Sequence, residues 1–221
     1  YYVRRLGTDG FRVGYQPTLK KVVNDRRASL DDDAEIKPEM RKAVKREFER
    51  GKTLPWVPLP ADGAEVPDNP RLTLVVLDPG LEYRDTDKDL RGKLADWTKN
   101  RGTAQRSYPA AIVWSIKKPG QDLRQKVEDM LAWKRAQTEV ETGTLKGEFD
   151  KADLSPLATQ VKTATEAVAD EVWASYRFIA IADTAEPDGI RVIDLGAGHA
   201  SAGETLGGRA LAALKAESLL N

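Results

Sequence analysis

The densest chemistry in the 221-residue sequence lies near its end, where an apolar run, Val192-Ile193, closes on Asp194-Leu195-Gly196-Ala197-Gly198. A carboxylate at the end of a buried strand can accept from a hydroxyl, and glycines let the backbone approach a cofactor at the amino terminus of the next helix. Gly51-Lys52-Thr53 has the form of the tail of a phosphate-binding loop, in which a lysine and a hydroxyl meet triphosphate and magnesium. The loop is incomplete, because Arg46 stands where its first glycine belongs and side chains would obstruct amides that must point inward. A helix-ending role for Gly51 is the expectation. Asp78 closes Leu74-Val75-Val76-Leu77 as a magnesium-binding acid would, but Pro79 follows it and no phosphate loop serves it, so a turn is expected there. His199 is the single histidine in a chain without cysteine, which removes multi-histidine and thiolate metal sites and leaves it a loop-fixing hydrogen bond.

Thirty-five basic side chains cancel thirty-five acidic ones, so no global field draws the chain to nucleic acid or anionic lipid. Locally the balance shifts: residues 1–60 carry 14 basic and 9 acidic groups. Lys20, Lys21, Arg26, Arg27, Arg41 and Lys45 are the candidates for phosphate or nucleic-acid contact, set against a solvated helix face diluted by Glu39, Glu47 and Glu49. No apolar run approaches a membrane span, which predicts a soluble protein with no membrane partner. The lack of cysteine suits a reducing compartment, the cytoplasm.

Two apolar runs, 72–77 and 110–116, read as strands covered on both faces, and helices are expected over 86–100 and 121–137. Strand, helix, strand, helix argues a parallel βαβ core. A helix over 156–175 precedes an antiparallel hairpin, 176–181 and 190–194, turning at Pro187-Asp188-Gly189, and a last helix covers 204–220. At the other end, alternation about Gly7-Thr8-Asp9-Gly10 predicts a hairpin, with helices over 17–27 and 34–50. The fold class is thus α/β: a mixed, largely parallel sheet flanked by helices, with a hairpin-and-helix appendage at the amino end. Five prolines between Thr53 and Pro70 suggest a linker. The expected domains are a basic 1–52, a linker 53–70 and an α/β domain 71–221.

The Asp194, Gly196, Gly198 pattern resembles the first motif of methyltransferases that bind S-adenosylmethionine. The 23 residues after Gly198 hold one loop and one helix, leaving no second strand whose acid would hold the ribose. A tight glycine turn is the competing reading. A wider resemblance rests on residues 11–27 (FRVGYQPTLKKVVNDRR), 71–79 (RLTLVVLDP), 108–116 (YPAAIVWSI), 123–136 (LRQKVEDMLAWKRA) and 193–220 (IDLGAGHASAGETLGGRALAALKAESLL). Together these are similar to the distal part of a bacterial and archaeal family of large AAA+ ATPases of unknown function, found beside DNA methyltransferases in phage-resistance cassettes of the BREX or phage-growth-limitation kind. The resemblance implies an accessory, carboxyl-terminal region of a longer polypeptide, in keeping with an opening, Tyr1-Tyr2-Val3-Arg4-Arg5, that is neither an initiator methionine nor a signal peptide.

The implied partner is the upstream ATPase core of the same polypeptide, with DNA and a homo-oligomer as further partners. ATP and magnesium are implied only for that upstream region, and no cofactor is expected here. The first 52 residues would then be part of a lid or winged helix, with Arg26 or Arg27 able to approach nucleotide on a neighbouring subunit. Three functions follow: a non-catalytic module of an ATPase, a nucleic-acid-binding module using the basic amino end, and a methyltransferase-like fold.

Overall fold

Two uninterrupted apolar stretches make the centre of a sheet. The computed structural model describes residues 2–5, 11–14, 18–51, 54–145, 149, 154–200 and 203–219, with side chains from residue 18 onward. The chain is α/β, and it divides into two units, residues 1–39 with 124–168 and residues 40–123 with 169–221.

In the first unit, strands β1 (Tyr2–Arg5) and β2 (Phe11–Gly14) pair antiparallel with Val3 opposite Val13. The turn expected at Gly7 to Gly10 lies outside the described residues. Helix α1 (Leu19–Ala28) starts at Thr18, whose hydroxyl accepts from Lys21 N. Asp31 caps a π-helical turn, Asp32–Ile36, by accepting from Ala34 N, while Glu35 Oε2 accepts from Asp31 N. This reciprocal cap leads into α2 (Lys37–Glu49). The acidic run thus sits where a helix's positive end favours it. Helix α4 (Asp122–Glu141) from residue 124 and helix α5 (Leu157–Ser175) as far as residue 168 supply the rest of the unit, with Val23, Ala132, Ala136 and Leu157 as its apolar centre.

The second unit holds the sheet. Strands β3 (Trp56–Pro58), β4 (Thr73–Val76) and β7 (Ile112–Ile116) are parallel neighbours, and β8 (Phe178–Ala182) and β9 (Ile190–Asp194) follow antiparallel, in the order β3-β4-β7-β8-β9. Only β8 runs against the rest. Every residue of β4 and β7 is buried, as their unbroken apolar runs require. Helix α3 (Lys88–Lys99) starts at an Asp87 cap and places Leu90 and Leu94 in a core with Val75, Leu77, Trp114 and Ile116. Trp114 Nε1 donates to Thr98 Oγ1 at 2.7 Å, which satisfies both buried polar atoms. A two-residue ribbon, β5 (Asn100–Arg101) and β6 (Ala104–Gln105), and helix α6 (Leu206–Ala216) complete the unit.

The proline-rich stretch expected as a linker is part of this fold. Pro55 only has to accept, from Leu74 N at 2.9 Å, and Leu59 N donates to Val76 O at 2.8 Å. Alternation turns Trp56 and Pro58 to the open side of the edge strand, where a missing N–H costs nothing. Beyond it, Arg106, 4% exposed, gives hydrogen bonds to the carbonyls of Gly63, Val66, Pro67, Trp97 and Asn100. Arg101 Nε adds Ala64 O at 3.1 Å. The boundary placed at 53–70 therefore gives way to a division in which each unit is assembled from two separate stretches of chain.

Candidate functional site at the carboxyl end of the sheet

Four of the five strands point the same way, so the ends of β4, β7 and β9 and the start of β8 share one edge. This is where an open α/β sheet binds ligands, and the crevice forms where strand order reverses. The order here never reverses, and each strand lies beside its predecessor.

The side chains at this edge are engaged with one another. Beyond β4, Asp78 Oδ1 accepts from Gly80 N at 2.8 Å, which makes the expected turn, and Oδ2 accepts from Arg41 Nε at 2.6 Å. Tyr176, 1% exposed, donates its hydroxyl to Leu77 O at 2.7 Å. Burial holds that phenol well above its ordinary pKa, so it stays a donor. Beyond β7, Lys117, 2% exposed, donates to Glu82 Oε1 at 2.6 Å, Gly120 O at 2.9 Å and Lys118 O at 3.1 Å. Three acceptors use all three ammonium hydrogens. Burial raises the Glu82 carboxyl, but Lys117, Gly120 N and Arg84 outweigh it and hold the group below the usual carboxylate range.

At the end of β9, Arg177 Nε and Nη2 grip Asp194 Oδ1 and Oδ2, both at 2.6 Å. Asp194 Oδ1 also accepts from Gly196 N at 2.8 Å. The arginine pulls the carboxyl below its ordinary pKa against a smaller opposing effect of burial. Both oxygens already accept, three hydrogen bonds in all, so a ribose hydroxyl would have to share the carboxylate with a bidentate guanidinium. The glycine loop is filled as well. Arg209 of α6 donates through Nη2 to Gly196 O at 2.6 Å and Leu195 O at 3.0 Å, and through Nη1 to Trp173 O at 3.2 Å. A Cβ on Gly198 would overlap that guanidinium. Close approach to the glycine backbone is real, and an arginine of the same chain makes it. Gly196, at φ +75°, supplies the tight turn. His199 lies exposed in the same loop.

The remaining candidates separate. Gly51 ends α2 at φ +58°, the left-handed position that favours glycine, and Lys52 and Thr53 lie outside the described residues. Of the six basic candidates, Lys21 pairs with Asp25, Arg26 with Glu139, Arg27 with Asp129 and Glu128, and Arg41 with Asp78. Lys20 and Lys45 are exposed. Four of the six therefore spend charge on carboxylates of their own unit, which weakens a phosphate footprint. Among the described residues no group of three histidine, cysteine, aspartate or glutamate side chains could hold a metal ion. No helix among them is long and apolar enough to cross a membrane.

Sequence reasoning missed Arg177, Arg209, Lys117 and Glu82. A signal existed for the first: an antiparallel 176–181/190–194 hairpin brings Arg177 beside Asp194. No family model, curated protein or solved structure matches this chain.

Proposed function

We propose that this chain is a non-catalytic α/β module that works beside a nucleotide-driven motor: the accessory, carboxyl-terminal region of a larger AAA+-like ATPase with a role in phage defence in the cytoplasm. Its partner is the upstream ATPase core of the same polypeptide, and ATP and magnesium belong there. One observation carries the non-catalytic part of this reading. The edge where an α/β enzyme would bind its ligand is occupied by the fold's own pairs, Arg41 with Asp78, Lys117 with Glu82 and Arg177 with Asp194, and by Arg209 in the glycine loop. A ligand entering there would have to break charge-assisted hydrogen bonds without a preformed cradle to repay them. The link to an ATPase rests on the resemblance of residues 11–27, 71–79, 108–116, 123–136 and 193–220.

Incubating the purified chain with ATP and magnesium tests the non-catalytic part. No phosphate release above buffer is expected, and turnover by this chain alone would end the proposal. Calorimetry with S-adenosylmethionine at millimolar ligand is expected to give no heat; saturable binding would reinstate the methyltransferase-like alternative. The motor part is tested by adding the chain to the separately expressed region encoded upstream of it. A changed ATPase rate there is expected, and an upstream sequence without G-x-x-x-x-G-K-S/T after a buried strand would refute it.

A further inference from the structure

The two edges of the sheet differ in what they offer a neighbour. On β3 the open side carries Trp56 and Pro58, so only one N–H faces outward, and proline is a common guard of such an edge. On β9 the ladder to β8 fixes which groups face out. Leu195 N donates to Arg177 O at 2.8 Å and Asp183 N to Gly189 O at 2.9 Å, so the hydrogen-bonded pairs are those of Arg191 and Ile193. The N–H and C=O of Ile190, Val192 and Asp194 therefore point away from the sheet. Ile190 is closed off: its N–H donates to Asp188 Oδ1 at 3.2 Å and its carbonyl accepts from Arg91 Nη2 at 2.9 Å. Val192 and Asp194 have no such cap among the described residues, which leaves two donors and two acceptors in extended backbone.

The usual guards of an edge are absent from this one. β9 has no proline, and its two charged side chains are neutralised, Arg191 by Glu217 and Asp194 by Arg177. Beside it, Ile193, Leu195, Ala212 and Ala213, with the charged Asp194, Arg209 and Glu217, line a groove of about 360 Å³ shared with α6. Ala212 and Ala216 are exposed one turn apart on α6, and Leu219, past the end of that helix, is one of two large apolar side chains most open to solvent among the described residues. An edge strand with open N–H and C=O groups and no guard is a ready template for pairing with another chain.

We propose that the occupant of this edge is a second copy of the chain, paired through β9 with its twin about a two-fold axis at Ile193. The count of open groups selects the partner. Antiparallel β9 strands centred on Ile193 place Val192 opposite Asp194 of the twin and the reverse, so all four open groups on each copy are satisfied in four hydrogen bonds. Moving the axis by one residue, to Val192, would set Asp194 against the already capped Ile190 and leave its groups unpaired. In the chosen register Ile193 faces its own copy in a close, non-hydrogen-bonded pair, and Arg191 faces Leu195, so no like charges stand directly opposite. The result is an isologous dimer with one continuous ten-stranded sheet. It stands independently of any link to an ATPase.

Sedimentation velocity on the 221-residue chain between about 1 and 100 µM tests it, since a dimer dissociates on dilution. Twice the chain mass is expected at the upper concentration, and a monomer there overturns the proposal. Ile193→Lys and Ile193→Glu are each expected to weaken association by about tenfold or more, because like charges then meet on the axis. An equimolar mixture should restore it, and a mixture no more associated than either variant alone refutes the register, as does a dimer untouched by both changes. Should neither variant fold, hydrogen exchange on the unmodified chain decides. The Val192 and Asp194 amides should slow with rising concentration, and exchange that ignores concentration overturns the inference.

Discussion

Arg106 and Arg209 perform the same chemistry in two places, and the difference between them separates what builds this fold from what closes it. Each guanidinium is held by carbonyl oxygens, and each collects one from the last turn of a helix: Trp97 O in α3 for Arg106 and Trp173 O in α5 for Arg209. Those carbonyls lack intrahelical partners and carry the negative end of the helix dipole, which lets a cation be buried without a bonded carboxylate. Burial lowers both guanidinium pKa values, and both groups stay charged. Arg106 gathers five carbonyls from two stretches of backbone, 63–67 and 97–100, and is almost fully buried. Arg209 gathers three, keeps contact with solvent, and stops a loop. One is a joint of the architecture and the other a plug at the carboxyl edge of its sheet.

Removing each in turn sharpens that contrast. Arg106→Met should cost the most, about 3 to 5 kcal/mol, because it strands several buried carbonyls at once; urea denaturation measures it, and a loss near zero would show the joint to be dispensable. Arg209→Met should cost about 1 to 2 kcal/mol in the same experiment, since water can reach a partly exposed guanidinium at the loop and take its place. The smallest effect belongs to the Arg177–Asp194 pair beside that loop, whose side chains are 40% and 44% exposed. Because Asp194 titrates below its ordinary value in the folded chain, its contribution is present above the unfolded carboxylate range and is lost as pH falls through the lowered folded value. Asp194→Asn should therefore leave a slightly flatter acid limb in thermal melts between about pH 2 and 5 and little change at neutrality.

Much of the architecture was legible because local pattern and burial agree. β4 and β7 are continuous apolar runs and are buried on both faces. The β8–β9 hairpin turns where Pro187-Asp188-Gly189 said it would, with Gly189 at φ +77°. β3 was hidden because proline density argues against pairing, whereas the ladder needs N–H groups only at Val57 and Leu59 and leaves Pro55 and Pro58 where none is required. The charge step near residue 60 gave a false boundary, since composition is read along the chain while each unit joins stretches far apart in it. The site was half legible. Asp194, Gly196 and Gly198 do form a tight loop at a strand end, but Arg209 arrives from the next helix and Arg177 from across the hairpin, and neither appears in a motif read as one line.

The unreversed strand order also bears on how the molecule is made. A chain emerging amino end first would lay down β3, β4, β7, β8 and β9 so that each new strand meets a neighbour already in place, and none must be threaded between two others. The longest closure runs from β7 to β8, where α4 and α5 intervene, and the next longest from β4 to β7, across α3 and the short ribbon. The longest is the natural pause point during synthesis, with β7 waiting as a bare hydrophobic margin until residues 178–182 arrive.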